Sequence, residues 1–160
     1  MKRTIMTAVI ALAIGFTINA QDISKNALGL RLGDNDGFGG EISYQPRLSS
    51  KTRLELDLGW RDSNDIEAYK LVGLHQWVMP LENHFNWYVG LGGGIGSFNN
   101  RSNDNFNDGS FALLAGDIGI EYNLNVPLQF SLDFRPELAF NDNYRDDLGL
   151  DIALGIRYRF

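Results

Sequence analysis

The chain contains no cysteine and only two histidines among its 160 residues. Without cysteine there is no disulfide framework, the usual staple of a small exported domain, and no lipoprotein anchor. No apolar run reaches the roughly 20 residues that a spanning helix needs. Positive charge is scarce as well: 14 Lys and Arg stand against 20 Asp and Glu, a formal net charge of −6, so nothing draws the chain electrostatically to nucleic acid.

The start carries an export pattern. Met1, Lys2 and Arg3 form a positive segment, an apolar run from Ile5 to Phe16 is interrupted only by Thr7, and Ala20 precedes the polar Gln21. Residues 1–20 therefore read as a cleaved signal peptide and 21–160 as a single domain. Ile18 is bulkier than the small residue usual three positions before the exit, which leaves the cleavage point open. Loss of Lys2 and Arg3 takes the net charge to −8.

From Ala27 to Phe160 one unit recurs: apolar residues alternating with polar ones or glycine, then a cluster of Asn, Asp, Ser, Gly or Pro. Period-two alternation marks a strand with two different faces. The last stretch is the clearest, with Leu148, Leu150, Ile152, Leu154, Ile156, Tyr158 and Phe160 on one face and Gly149, Asp151, Ala153, Gly155, Arg157 and Arg159 on the other. A helix cannot sort residues this way. About eight such strands are expected. The fourth, between Ala68 and Met79, is the least regular, because apolar residues occupy both parities; Tyr69, Leu71 and Trp77 are expected outward and Lys70 and Gln76 inward, with a bulge able to reverse half of it.

An even strand count puts both chain ends on one side. The connections then divide into a polar set at 34–37, 62–67, 99–109 and 141–147, and a second set at 46–51, 80–84 and 123–127, each with a proline suited to a turn at a strand end. The first set holds Asp34, Asp36, Asp62, Asp65, Glu67, Asp104, Asp108, Asp142, Asp146 and Asp147 against Arg101 and Arg145. These loops carry the chain's negative surplus and are expected on the outer side.

Alternation alone does not say which face looks inward. The polar face carries Arg31, Glu41, Arg53, Glu55, Asp57, Arg61, Lys70, Asp117, Glu121, Asp133, Arg135, Glu137, Asp151, Arg157 and Arg159, seven basic and eight acidic residues. Near balance suits charges enclosed in a narrow barrel, where desolvation must be offset by pairing. Aromatics also collect at two levels: Tyr44, Trp77, Trp87, Tyr122, Tyr158 and Phe160 at the turn side, and Phe38, Trp60, Tyr69 and Phe140 at the loop side. Such girdles mark the two interfaces of a membrane barrel. A secreted soluble barrel of the calycin kind would instead turn its apolar face inward.

The segment 153–160 resembles the C-terminal assembly signal of bacterial outer-membrane proteins at Gly155, Tyr158 and Phe160, although Ala153 stands where a polar residue is usual. That resemblance implies recognition by the barrel-assembly machinery. Over residues 27–160 the chain resembles the family of small outer-membrane β-barrel proteins that includes the OmpA barrel and OmpX. The resemblance implies an all-β, closed antiparallel up-and-down transmembrane β-barrel of about eight strands in the bacterial outer membrane, in contact with lipid and lipopolysaccharide.

Little suggests chemistry. His75 and His84 both fall toward the turn side, away from Ser97 and Ser110 near the outer end, so no base accompanies a nucleophile. The runs 34–37 and 104–109 lack the ligand pattern of a calcium loop, with Phe106 at a position that needs oxygen. No cofactor is implied. Gly90, Gly92, Gly93, Gly94 and Gly96 precede no helix and so form no phosphate cradle; they are expected to make room for facing arginines and to let the sheet curve. The expected function is a non-enzymatic barrel with a structural or interaction role, its lumen filled and closed to hydrophilic solutes. The alternatives are an OmpW-like carrier of small apolar molecules, which would need an apolar lumen, and a lipid A-modifying enzyme.

Overall fold

In the computed structural model the described residues are 23–33, 39–62, 66–100, 107–140 and 148–160. They form eight strands: β1 (Asn26–Leu32), β2 (Glu41–Pro46), β3 (Thr52–Asp62), β4 (Ile66–Pro80), β5 (Phe85–Asn100), β6 (Asn107–Asn123), β7 (Leu128–Ala139) and β8 (Gly149–Arg159). Each pairs antiparallel with the next, and β8 pairs with β1, so the sheet is a closed barrel without a free edge. Closure supplies the backbone hydrogen bonds that an open sheet would leave unmade. Expected leader residues 1–20, Phe38 and most of the four acidic loops lie outside the described residues.

Burial alternates along every strand. In β8 Leu150, Ile152, Leu154, Ile156 and Tyr158 are exposed while Asp151, Ala153, Gly155 and Arg157 are buried. Large apolar side chains cover the outside at 37–66% exposure, and arginines, carboxylates and glutamines fill the inside. This inverts the layout of a soluble barrel and fits an apolar surrounding. Trp77, Trp87, Phe85, Tyr122, Tyr158 and Phe160 face out at the turn end, and Trp60, Tyr69 and Phe140 at the loop end. Some of these rings pack on one another: Phe85 and Tyr122 have centroids 4.6 Å apart, and Tyr158 and Phe160 stack at 6.2 Å.

β4 runs in a single register against β3 and β5 with no bulge. Its apolar residues at both parities have a simple cause. Val72 and Leu74 point inward and pack with Phe111, Leu113 and Ala115 of β6, flanked by Phe98 and Ala139. Along β6 these side chains lie on the loop side of Asp117 and Glu121, so the lumen is layered rather than uniformly charged.

Pro136 lies inside β7, where a closed barrel has no edge to excuse it. Ala115 pairs with Glu137 and Ile118 with Phe134, while the ladder between them is interrupted at Gly116 and Asp117. Proline has no N–H to donate. Gly116 accommodates the ring, since a Cβ there would come within 3.3 Å of the proline Cγ.

The turn-side connections are tight. Between β2 and β3 the Ser49 hydroxyl accepts the amides of Lys51 and Thr52 at 3.2 and 3.1 Å. Asn83 and His84, between β4 and β5, take left-handed backbone angles with φ of 50° and 75°.

Candidate functional site

The alternation of β1 to β8 delivers one charged side chain after another to the barrel axis. Arg31 of β1 donates to Glu41 of β2 at 3.0 Å, to Asp151 of β8 at 2.6 Å and to Asp133 of β7. Arg135 of β7 donates across the lumen to Glu55 of β3 at 2.9 Å, to Asp57 and to Glu41 at 3.3 Å. Lys70 of β4 meets Glu137 at 3.0 Å and Glu41 at 3.2 Å. Glu41 thus accepts from three cations on three different strands.

A second group lies nearer the turn end. Arg53 of β3 donates to Glu121 of β6 and to the Gln76 side-chain oxygen, both at 2.6 Å, and sits 4.8 Å from the centroid of the Tyr88 ring. Arg157 of β8 donates to Ser43 at 2.9 Å and Ser131 at 2.8 Å and approaches Glu55 at 3.4 Å. Glu55 also accepts from Gln76 at 2.9 Å and from Gln45. Every strand contributes, β5 through Asn86, which donates to Glu121 at 2.9 Å. Charges this deeply enclosed hold together only when paired and hydrogen-bonded, because neither partner has water to fall back on.

Of the fifteen charged residues expected on the inward face, Arg31, Glu41, Arg53, Glu55, Asp57, Lys70, Asp117, Glu121, Asp133, Arg135, Glu137, Asp151 and Arg157 are buried inside the barrel. Arg159 is not part of that buried set. It ends β8 at the open rim, where its guanidinium donates to the Leu124 and Val126 carbonyls of the β6–β7 turn at 2.7 and 3.0 Å. The side chain of Arg61 lies outside the described residues. Among the described buried residues the cations are Arg31, Arg53, Lys70, Arg135 and Arg157, and the carboxylates number eight.

The uncharged members Ser43, Gln45, Gln76, Asn86, Gln129 and Ser131 were legible only as inward positions. Tyr88, fully buried, shares that parity.

At Gly92, Gly94 and Gly96 the nearest atoms are backbone and an aromatic ring rather than the arginines expected. A Cβ on Gly92 would lie 1.9 Å from the Gly73 carbonyl oxygen, one on Gly94 would meet the Leu71 carbonyl at 2.6 Å, and one on Gly96 the Phe111 ring at 2.3 Å. They let the β4 backbone and Phe111 approach. The glycine that does clear room for an arginine is Gly155, whose Cβ position lies 2.1 Å from Ser131 Oγ and 2.5 Å from an Arg157 nitrogen. Tyr158 and Phe160 of the same terminal segment face outward.

His75 lies on the outer wall with its ring 4.6 Å from Trp77, and His84 lies in the β4–β5 turn. Ser97 and Ser110 pair across β5 and β6 at the opposite, loop end, so His84 is remote from both.

No family model matches the chain, and no curated protein does. Solved structures do. The N-terminal β-barrel domain of Pseudomonas aeruginosa OprF superposes with a TM-score of 0.72 over 88% of this chain and 100% of that one, at 11% identity. Neisserial surface protein A gives 0.59 at 11% identity, covering 84% and 94% of the two chains. Ail, the attachment invasion locus protein of Yersinia pestis, gives 0.57 at 18% identity, covering 86% and 97%. The chain has the fold of the small eight-stranded outer-membrane β-barrels. At these identities the likeness establishes architecture alone.

Proposed function

We propose that this is an integral outer-membrane barrel without catalytic activity, exported by cleavage of residues 1–20, whose role is to stabilise the envelope or to meet lipopolysaccharide and partner molecules through its acidic loops. The observation that carries the reading is the inversion of burial: apolar side chains outside between two aromatic levels, ion pairs within. Such a wall is stable in lipid and aggregates in water. Assembly would begin from the signal at Gly155, Tyr158 and Phe160, read by the barrel-assembly machinery.

The lumen supports neither a carrier nor a pore. Its loop side is filled by Val72, Leu74, Phe111 and Leu113 at no more than 4% exposure, leaving side chains packed on side chains where an apolar cargo would have to sit. Salt bridges cross the lumen as well, Arg135 of β7 to Glu55 and Asp57 of β3 and Lys70 of β4 to Glu137 of β7. A barrel of eight strands is about wide enough for side chains and little else. Catalysis finds no support in the described placement of the histidines and serines.

Membrane fractionation with heat-modifiable gel mobility tests the location, and recovery as a soluble periplasmic protein would overturn it. Cross-linking in intact cells, with loss of the adducts when the loop aspartates are replaced by asparagine, tests the role of the loops. Adducts that persist unchanged would remove the loops from the reading.

A further inference from the structure

The outer aromatic level at the loop end is broken between β4 and β7. Trp60 of β3 pairs with Tyr69 of β4, Tyr69 with Ser97 of β5, and Ser97 with Ser110 of β6, so a row that begins with two rings continues with two hydroxymethyl groups. One row nearer the middle of the wall, Leu58, Leu71 and Ile95 give way to Ala112, whose carbonyl accepts the Phe140 amide at 2.9 Å. Small side chains at Ser97, Ser110 and Ala112 thus stand among large ones, and all of these side chains face out.

The result is a trough in the outer wall. Its wider part encloses about 610 Å³ and is bounded by Tyr69, Leu71, Ile95, Ala112 and Phe140. A second part of about 530 Å³ shares Tyr69, Ser97 and Ser110 with the first and is bounded toward the rim by Glu67 and Asn99. Glu67 and Asn99 pair across β4 and β5, and the Tyr69 hydroxyl donates to the Glu67 carboxylate at 3.1 Å. Each part falls within the size range of small-molecule sites. The trough is therefore apolar toward the middle of the wall and lined with oxygens toward the rim.

That gradient matches an amphiphile standing in the loop-side leaflet, with its chain toward the middle of the bilayer and its head at the rim. Ile95 and Phe140 project on either side, 64% and 66% exposed, which suits one chain lying between them rather than the flat wall of a second barrel. Glu67 selects the head, because an ionised carboxylate accepts hydrogen bonds from hydroxyl and amide groups and repels a phosphate. Lipid A meets this requirement, since amide and hydroxyl groups join its chains to the sugar. A phospholipid instead brings ester oxygens followed by a phosphate.

We propose that the trough seats one acyl chain of lipopolysaccharide, lying against Leu71, Ile95, Ala112 and Phe140, with amide or hydroxyl donors at its head end meeting Glu67 and Ser97. The inference rests on reading the loop end as the outer side of the barrel.

The test is native mass spectrometry of the full barrel released from micelles after incubation with equal amounts of lipid A, phosphatidylethanolamine and phosphatidylglycerol. The barrel is expected to retain a single lipid A in preference to both phospholipids. Ser97→Trp and Ala112→Phe, which restore bulk to the broken rows, are expected to abolish that retention, while Leu30→Phe on the outer face of β1 keeps it. Equal retention of all the lipids, preference for a phospholipid, or retention unchanged in the filled variants overturns the proposal. A dimer that the filled variants dissolve also overturns it and assigns the trough to a second copy. Should both filled variants fail to fold, the lipid preference of the unmodified barrel decides. Membrane fractionation is an independent measurement: a barrel found in the outer membrane but without lipid A loses the trough alone, whereas recovery as a soluble protein removes the location on which the inference rests.

Discussion

Arg135 spans the barrel to donate to Glu55 at 2.9 Å and to Asp57, both on β3, with its own side chain fully buried. One cation thereby serves carboxylates of two strands on the far wall, since Glu41 of β2 also accepts from it. Replacing it by the uncharged Arg135→Met leaves those carboxylates short of a partner. The expected loss is about 3–5 kcal/mol, against roughly 0.5 kcal/mol or less for Lys51→Met in the exposed β2–β3 turn. Urea unfolding in micelles measures both, and equal midpoints would remove the network as a source of stability.

Gly92→Ala forces a methyl group against the Gly73 carbonyl oxygen, a backbone atom of the neighbouring strand that cannot swing aside. The β4–β5 pairing must open locally, at a cost of about 1–3 kcal/mol or above. At Gly40 the nearest atom is a Leu32 methyl 3.8 Å away, so Gly40→Ala should be close to neutral. Heat-modifiable mobility measured over a temperature series separates the two variants.

Leu132 stands mid-strand on β7 with 46% of its surface exposed on the outer wall. In a bilayer Leu132→Arg is expected to cost about 2–4 kcal/mol, because the charge leaves water for hydrocarbon. Were the barrel soluble, the same change would be neutral or would aid solubility. Folding yield into lipid vesicles tells these outcomes apart.

Phe111 fills the loop-side layer against Val72, Leu74 and Leu113. Phe111→Ala is expected to lower stability by about 3–5 kcal/mol through the cavity it leaves. In planar bilayers the unmodified barrel should show no stable single-channel conductance, and steady openings would contradict a filled lumen.

Gly155 and Phe160 separate two roles within one terminal segment. Gly155→Val collides with Ser131 and the Arg157 guanidinium and should destabilise the purified barrel. Phe160→Ala, on the outer face, should refold normally in vitro yet accumulate less in the membrane of living cells. If both variants refold and accumulate alike, the segment is not an assembly signal.

Much of the architecture was legible because the period of a strand is two and a closed sheet must show one face to each surrounding. The outward Leu150, Ile152 and Leu154 and the inward Asp151 and Arg157 follow from that rule alone. Even β4 was placed correctly at Tyr69, Lys70, Leu71, Gln76 and Trp77. Where the reading fell short, the cause was distance in sequence. Arg159 has the parity of a lumen residue, but its height on β8 puts it among turn carbonyls, and height depends on the stagger between strands. Gly92 and Gly94 looked like space for side chains, whereas the atoms they admit belong to the adjacent backbone.

Composition and periodicity by themselves determined the number of strands, their faces and the enclosure of charge, because these depend on local geometry and on the cost of mismatched surroundings. Only the tertiary structure decided which cation meets which carboxylate, that Val72 and Leu74 pack with Phe111 inside the barrel, and that Arg135, opposite Asp117, turns to Glu41, Glu55 and Asp57. Those outcomes depend on register and on distances across the barrel, which are set once the last strand closes on the first.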